Sequence, residues 1–391
     1  MKFRLLALLF ALLICMGGCS KIEPNTSIPS SEEEQSVTES VEETSSEETV
    51  SAEVSSEEVV SEEVVSEETS SDAASVEETE PESIYPVLHS DEPIVEHEAI
   101  VTIGDAGYEY YTYVPRSAGL YAAVVNDTAE KLTDISQVYT VIVPTSIGIT
   151  FPDNYIGQVS GSQMKEPLEE IAAQFSEKVT NVALYDVLMQ QRDDYIYFRT
   201  DHHWTARGAF YAYREFCRIK GIEHYPLSAR EMTVFDGFRG SFYRSSGKIQ
   251  VMKDNPDYVE AFYPVGENIE LVFTNKEGKS YSWPMISNMT NSSEGMKYDT
   301  FAASDNPFTV IENTDITDDS SCIVIKESFG NALIPFLSDH YRTIYEVDYR
   351  YYDGNVISLA KEHQVDDVIF INNISMTRSD YLIGKLANVL S

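Results

Sequence analysis

Tyr195-Ile196-Tyr197-Phe198-Arg199-Thr200-Asp201-His202-His203-Trp204-Thr205 passes from an extended, aromatic run into a helix start. Its downstream counterpart is Ile323-Val324-Ile325-Lys326-Glu327-Ser328-Phe329-Gly330-Asn331, a β-branched run that also turns toward a helical pattern. Two strand-to-helix turns, one with Asp and His and the other with Ser, predict an α/β sheet whose strand ends gather these groups. A hydroxyl nucleophile needs a base, and the base needs an orienting carboxylate, so the three together have the makings of an acyl-transfer site.

Working outward, extended runs occur at 138–143, 182–188, 195–198, 259–265, 269–273, 323–326, 344–347 and 368–371. Helical spacing occurs at 164–178, 206–220 (stopped by Gly221), 331–341, 355–364 and 378–390. The alternation predicts a mostly parallel sheet with helices on both faces. The stretch from about 235 to 309 has turns, aromatics and β-favouring residues but little helical period, and reads as a β-rich insertion.

The N-terminus reads as an export signal over residues 1–18: Lys2 and Arg4 precede an apolar core too short for a stable span of ~20 residues. Met16-Gly17-Gly18-Cys19 has the form of a lipobox, with Cys19 as the expected lipidation site. Residues 19–83 form a Ser/Glu-rich tract with units such as Ser56-Glu57-Glu58-Val59-Val60, too polar to build a core, and are expected to act as a disordered tether. That leaves residues 84–391 as the folded domain, on an extracytoplasmic protein lipid-anchored to a bacterial cell membrane. The whole chain carries a net charge of −38, about half of it in the tether, so the domain is itself acidic. Nucleic acid and anionic surfaces are therefore disfavoured as partners. Cys217 and Cys322 lie in apolar patterns and read as buried thiols, although a bridge between them is open in an exported protein.

Each motif has an ordinary reading beside the chemical one. Asp201 could simply cap its turn and Trp204 pack, while Ser328 could be a helix N-cap. Zinc chemistry on His202 and His203 is disfavoured, since adjacent histidines on a tight turn are expected to diverge and no third ligand stands at helical spacing. The absence of a G-x-S-x-G elbow disfavours an ordinary α/β-hydrolase.

The Asp-His-His-Trp turn, the following Thr-Ala-Arg-Gly-Ala and the Glu-Ser-Phe-Gly-Asn turn together resemble the DHHW family. That family is similar to the SGNH-hydrolase-like proteins of alginate and cellulose O-acetylation. The resemblance covers roughly residues 90–391. It implies a three-layer SGNH-hydrolase-like sheet with the motifs in circularly permuted order, Asp and His before Ser. It also implies Ser328 as nucleophile, His203 as base and Asp201 as its orienting group, with His202 at the variable position.

Gly240, Asn331 and Asn372 are candidates for an oxyanion hole, while Arg244, His202 and Trp204 are substrate-side candidates. Tyr258, Phe262, Tyr263, Tyr281 and Trp283 supply surface that could stack on sugars, although core packing is the expected role of most of them. The implied activity is O-acetyl transfer to, or removal from, a cell-surface or secreted polysaccharide. A membrane-bound O-acyltransferase is the implied acetyl source, and no cofactor or metal is implied. The alternative is a non-catalytic glycan-binding or scaffolding lipoprotein on the same fold.

Overall fold

A computed structural model describes residues 84–391. The expected signal, Cys19 and the tether lie outside the described residues. Among the described residues, no helix is long and apolar enough to cross a membrane.

Among the described residues, thirteen strands follow in chain order: β1 (Ile94–Glu96), β2 (Ile100–Ile103), β3 (Ala106–Glu109), β4 (Gln137–Val143), β5 (Val179–Asn181), β6 (Met232–Phe238) and β7 (Asp257–Phe262) in the first part. The second part holds β8 (Ile269–Thr274), β9 (Ser280–Trp283), β10 (Phe308–Asn313), β11 (Ser321–Lys326), β12 (Thr343–Asp348) and β13 (Asp367–Asn373). Eight of them form one sheet in the order β5-β4-β13-β11-β12-β10-β8-β9. The first five of that order run parallel, and β10, β8 and β9 continue the sheet antiparallel.

Because successive side chains alternate between faces, each central strand feeds two cores. Cys322 and Val324 of β11, with Ile369 and Ile371 of β13, face a cluster containing Trp204, Phe216 and Phe329. Ile323, Ile325, Val368 and Phe370 face the opposite cluster with Tyr121, Val125 and Leu386. Helix Ala206–Lys220 covers the first face, and Pro115–Lys131, Val356–His363 and Asp380–Leu390 cover the second. This is the expected three-layer arrangement.

Several elements differ from the sequence reading for identifiable reasons. The run 182–188 is not a strand. β5 ends at Asn181 and helix Tyr185–Met189 follows, because Leu184 and Leu188, one helical turn apart, are both buried. The run 195–198 makes only an isolated bridge, Tyr197 with Trp204, which closes the motif loop. The helix expected over 331–341 is broken into Ser328–Ala332 and Ile334–Leu337, where Pro335 lacks the N–H that a continuous helix would need. The 235–309 stretch is β-rich but divided: β6 pairs with β7 in a separate two-stranded sheet, whereas β8 and β9 extend the central one. Cys217 and Cys322 are both buried and free.

Candidate active site

The two motif turns meet at the C-terminal end of β11. Glu327, not Ser328, caps the short helix Ser328–Ala332, its carboxylate accepting from Phe329 N at 3.5 Å. The same carboxylate accepts from Asn373 N at 2.7 Å and Asn373 Nδ2 at 3.1 Å, tying the end of β11 to the end of β13. With the capping duty taken by its neighbour, the Ser328 hydroxyl is free to point at the other turn. Gly330 is needed for this path, since a Cβ there would sit 2.6 Å from Lys326 Cβ.

Ser328 Oγ lies 2.7 Å from His203 Nε2, and His203 Nδ1 lies 2.6 Å from Asp201 Oδ1. Two backbone groups fix the Asp201 carboxylate: His203 N donates to Oδ1 at 3.0 Å and Ser241 N to Oδ2 at 2.8 Å. The motif turn is anchored from beneath by the fully buried Asp257, whose Oδ2 accepts from Thr200 N at 2.7 Å and Thr200 Oγ1 at 2.6 Å. Trp204 is buried and donates from Nε1 to the Phe329 carbonyl at 2.9 Å, joining the two turns directly. Tyr298 joins them a second time. Its ring stacks on His203 at 4.0 Å and 10°, and its hydroxyl donates to the Ser328 carbonyl at 3.0 Å.

Burial alone would raise the Asp201 carboxyl, but the two imidazoles hold it well below the usual range. Burial and the charge on His202 push His203 down to about 4 despite Asp201. His202 is raised to about 9, because Asp201 outweighs the opposing effect of burial. His203 is thus neutral near pH 7, with its Nδ1–H toward Asp201 and its Nε2 lone pair toward Ser328.

The histidine rings do not diverge as the sequence suggested. Their centroids are 3.8 Å apart because both Nδ1 atoms turn toward the Asp201 side of the loop. Asp201, His202 and His203 each bring a potential metal-ligand atom within 4.8 Å of the others. Both His203 nitrogens are already engaged, however, and His202 Nδ1 pairs with Ser241 Oγ at 2.7 Å.

The remaining candidates are dispersed. Asn331 bridges Lys326 at 2.5 Å and Asp305 at 3.0 Å. Asn372 lies on the opposite face of the sheet, accepting from Tyr121 OH at 3.1 Å. Arg244 is exposed on the short helix Ser241–Ser245. Gly240 presses against Asp201: a Cβ there would meet Oδ2 at 2.0 Å and Cγ at 2.4 Å. Gly240→Ala should therefore displace the carboxylate and lower ester turnover by about 100-fold or more, the effect of a ~1 Å misplacement. Steady-state kinetics on a variant shown to be folded checks this, and near-wild-type turnover would contradict it.

Beneath the Ser328 turn, Lys326 and Arg350 face three carboxylates, Asp305, Glu346 and Asp348. With one negative charge in excess, burial pushes Glu346 up to about 7, only partly offset by Lys326. A carboxyl raised by folding stabilises most when protonated, so its contribution is full below its unfolded pKa and falls as pH rises to about 7. The loss amounts to up to about 3 kcal/mol. Glu346→Gln should lack this fall, so its melting temperature relative to wild type should be higher at pH 8 than at pH 5. An equal difference at both pH values would contradict the assignment.

Sequence reasoning missed Tyr298 and Asp257. Both lie in the aperiodic 235–309 stretch, where nothing in the local pattern separates them from packing residues.

The central sheet and the helices on its two faces define a three-layer α/β protein, with the two motif turns meeting at the end of β11. The chain belongs to the DHHW family, whose model, described as DHHW protein, matches residues 22–347. Among solved structures it is similar to a DHHW family protein from Eubacterium siraeum, with 25% identity and a TM-score of 0.69, covering 78% of this chain and 99% of that one. It is also similar to Bacillus cereus PatB1, solved with a sulfonyl adduct, with 16% identity and a TM-score of 0.60 over 77% of this chain and 99% of that one. A second PatB1 structure gives 18% identity and a TM-score of 0.59 over 75% and 99%. Comparison with functionally curated proteins finds no match.

Proposed function

We propose that this protein transfers acetyl groups to a cell-surface or secreted polysaccharide through an acyl-Ser328 intermediate, from an extracytoplasmic position anchored by lipid at Cys19. The observation that carries the reading is the unbroken sequence of contacts Ser328 Oγ, His203 Nε2, His203 Nδ1, Asp201 Oδ1, at 2.7 and 2.6 Å. Membership of the DHHW family supports it.

In the first half-reaction, Ser328 Oγ attacks the acetyl carbonyl as His203 takes its proton. Collapse of the tetrahedral intermediate breaks the bond to the donor oxygen, which leaves with the proton from His203. In the second half, an acceptor hydroxyl gives its proton to His203 as it attacks the acyl carbonyl, and His203 returns the proton to Ser328 Oγ as the acyl–serine bond breaks. If water takes that place, the outcome is ester hydrolysis. Asp201 stays ionised and stabilises the imidazolium. The first N–H groups of a helix have no intrahelical acceptor. Phe329 N is turned toward Glu327 and Gly330 N toward the Glu327 carbonyl, so this reading assigns the oxyanion to the Ser328 N–H at the start of the same short helix. A membrane-bound O-acyltransferase would supply the acetyl group.

The full chain incubated with a chromogenic acetyl ester tests this. Turnover should fall as pH drops through about 4, where His203 becomes protonated, and addition of a hydroxyl acceptor should divert acetyl groups from water. A folded protein that neither turns over the ester nor acquires an acetyl group would favour the non-catalytic glycan-binding reading.

A further inference from the structure

The β8–β9 hairpin presents an aromatic face to solvent. Tyr281 is 44% and Trp283 43% exposed, although both belong to regular β-structure in which such residues ordinarily pack inward. Cross-strand pairing sets Phe273 opposite Tyr281 and Leu271 opposite Trp283, so all four side chains share one face. Tyr281 stacks on Phe273 at 5.4 Å and 30°, and Trp283 meets the same ring edge-on at 5.9 Å.

The rings are also held. Trp283 Nε1 donates to Ser287 Oγ at 2.7 Å. Ser287 exchanges two hydrogen bonds with Thr300, its N donating to the Thr300 carbonyl at 2.8 Å and its carbonyl accepting from Thr300 Oγ1 at 2.7 Å. Thr300 belongs to the short helix Lys297–Thr300, which carries Tyr298 against His203.

The face and the position both point to the acceptor. Leu271 belongs to the core cluster that contains Trp204, Tyr298 and Phe329, so the aromatic pair and the site lie on the same side of the sheet. The register runs from Tyr281 through Phe273, Thr309 and Glu346 to Val324, four residues before Ser328. Four inter-strand steps of ~4.8 Å and four residues of ~3.3 Å place Tyr281 about 20–25 Å from Ser328. That is beyond a small ester but within the span of several sugar rings.

We propose that Tyr281 and Trp283 form a docking platform for the acceptor, an uncharged β-linked polysaccharide that extends from this hairpin to Ser328. The proposal rests on the acyl-transfer reading above. Pyranose rings with equatorial linkages present flat C–H faces that match exposed, pre-oriented aromatic rings. The acidity of the chain disfavours an anionic polymer.

The test uses the full chain carrying Ser328→Ala, run in native gels containing hydroxyethylcellulose. Binding is then read without turnover, while ester hydrolysis by the Ser328 protein reports separately on the acyl-transfer reading. The polymer should retard the Ser328→Ala protein. Adding Tyr281→Ser and Trp283→Ser should raise the dissociation constant about tenfold, whereas Tyr281→Phe, which keeps the ring stacked on Phe273, should change it no more than about twofold. Absence of retardation, or equal retardation of the serine pair, would overturn the proposal. So would a dimer in sedimentation that the serine pair dissociates, because the platform would then be an interface between copies of the chain.

Discussion

Ser328→Ala should lower acetyl-ester turnover by about 10⁴- to 10⁶-fold, the range expected when the nucleophile of an interdependent Ser-His-Asp set is removed. The hydroxyl makes one side-chain hydrogen bond, to His203 Nε2 at 2.7 Å. The turn around it is held by other groups: the Glu327 cap, Tyr298 OH on the Ser328 carbonyl and Trp204 Nε1 on the Phe329 carbonyl. Loss of the hydroxyl should therefore leave stability within about 1 kcal/mol of wild type, since none of the mechanisms that produce large destabilisation is engaged. Kinetics and urea denaturation of the same preparation check both parts. A fall of tenfold or less in turnover would remove Ser328 from the chemistry. A large loss of stability would show that the serine is structural.

Asp257→Ala should do the reverse, costing about 3–5 kcal/mol of stability. The Asp257 carboxylate is fully buried. It accepts from Thr200 N and Oγ1 at 2.7 and 2.6 Å, Tyr195 OH at 2.8 Å, and Arg199 N and Nε at 3.3 and 3.2 Å. Removing it strands several donors in the interior directly before Asp201. Arg199 keeps its ion pair with Asp105, so the damage centres on the Thr200 backbone and hydroxyl. Activity should also fall, because Asp201 and His203 hang from this turn. A loss under about 1 kcal/mol in urea denaturation would show that the anchor is dispensable.

The contrast between these two residues shows how far the sequence could be read. Ser328, His203 and Asp201 were legible as candidates because both turns follow patterned runs, while their separate roles came from the resemblance of those turns to the DHHW family. Helix Ala206–Lys220 was legible from its own pattern, ending at Gly221 with a left-handed φ of 77°. Asp257 and Tyr298 were not, since their partners lie 57 and 95 positions away in sequence, at Thr200 and His203, and only the folded register brings them together. Local pattern also misled where two periods competed. Leu184 and Leu188 fit a helix as well as a strand, and Pro335 divided a helix whose apolar spacing looked continuous. The oxyanion candidates failed to converge for a further reason. Asn372 is one residue out of phase with the site-facing positions of β13, which places its amide on the far side of the sheet.

The most direct test of the account is peptide mapping of protein quenched in acid during acetyl-ester turnover. An acetyl group on the peptide containing Ser328, absent from the Ser328→Ala protein, is the predicted result. Acetylation confined to another residue, or continuing turnover with no acetyl-enzyme while Ser328→Ala remains active, would contradict the claim that Ser328 carries the transferred group.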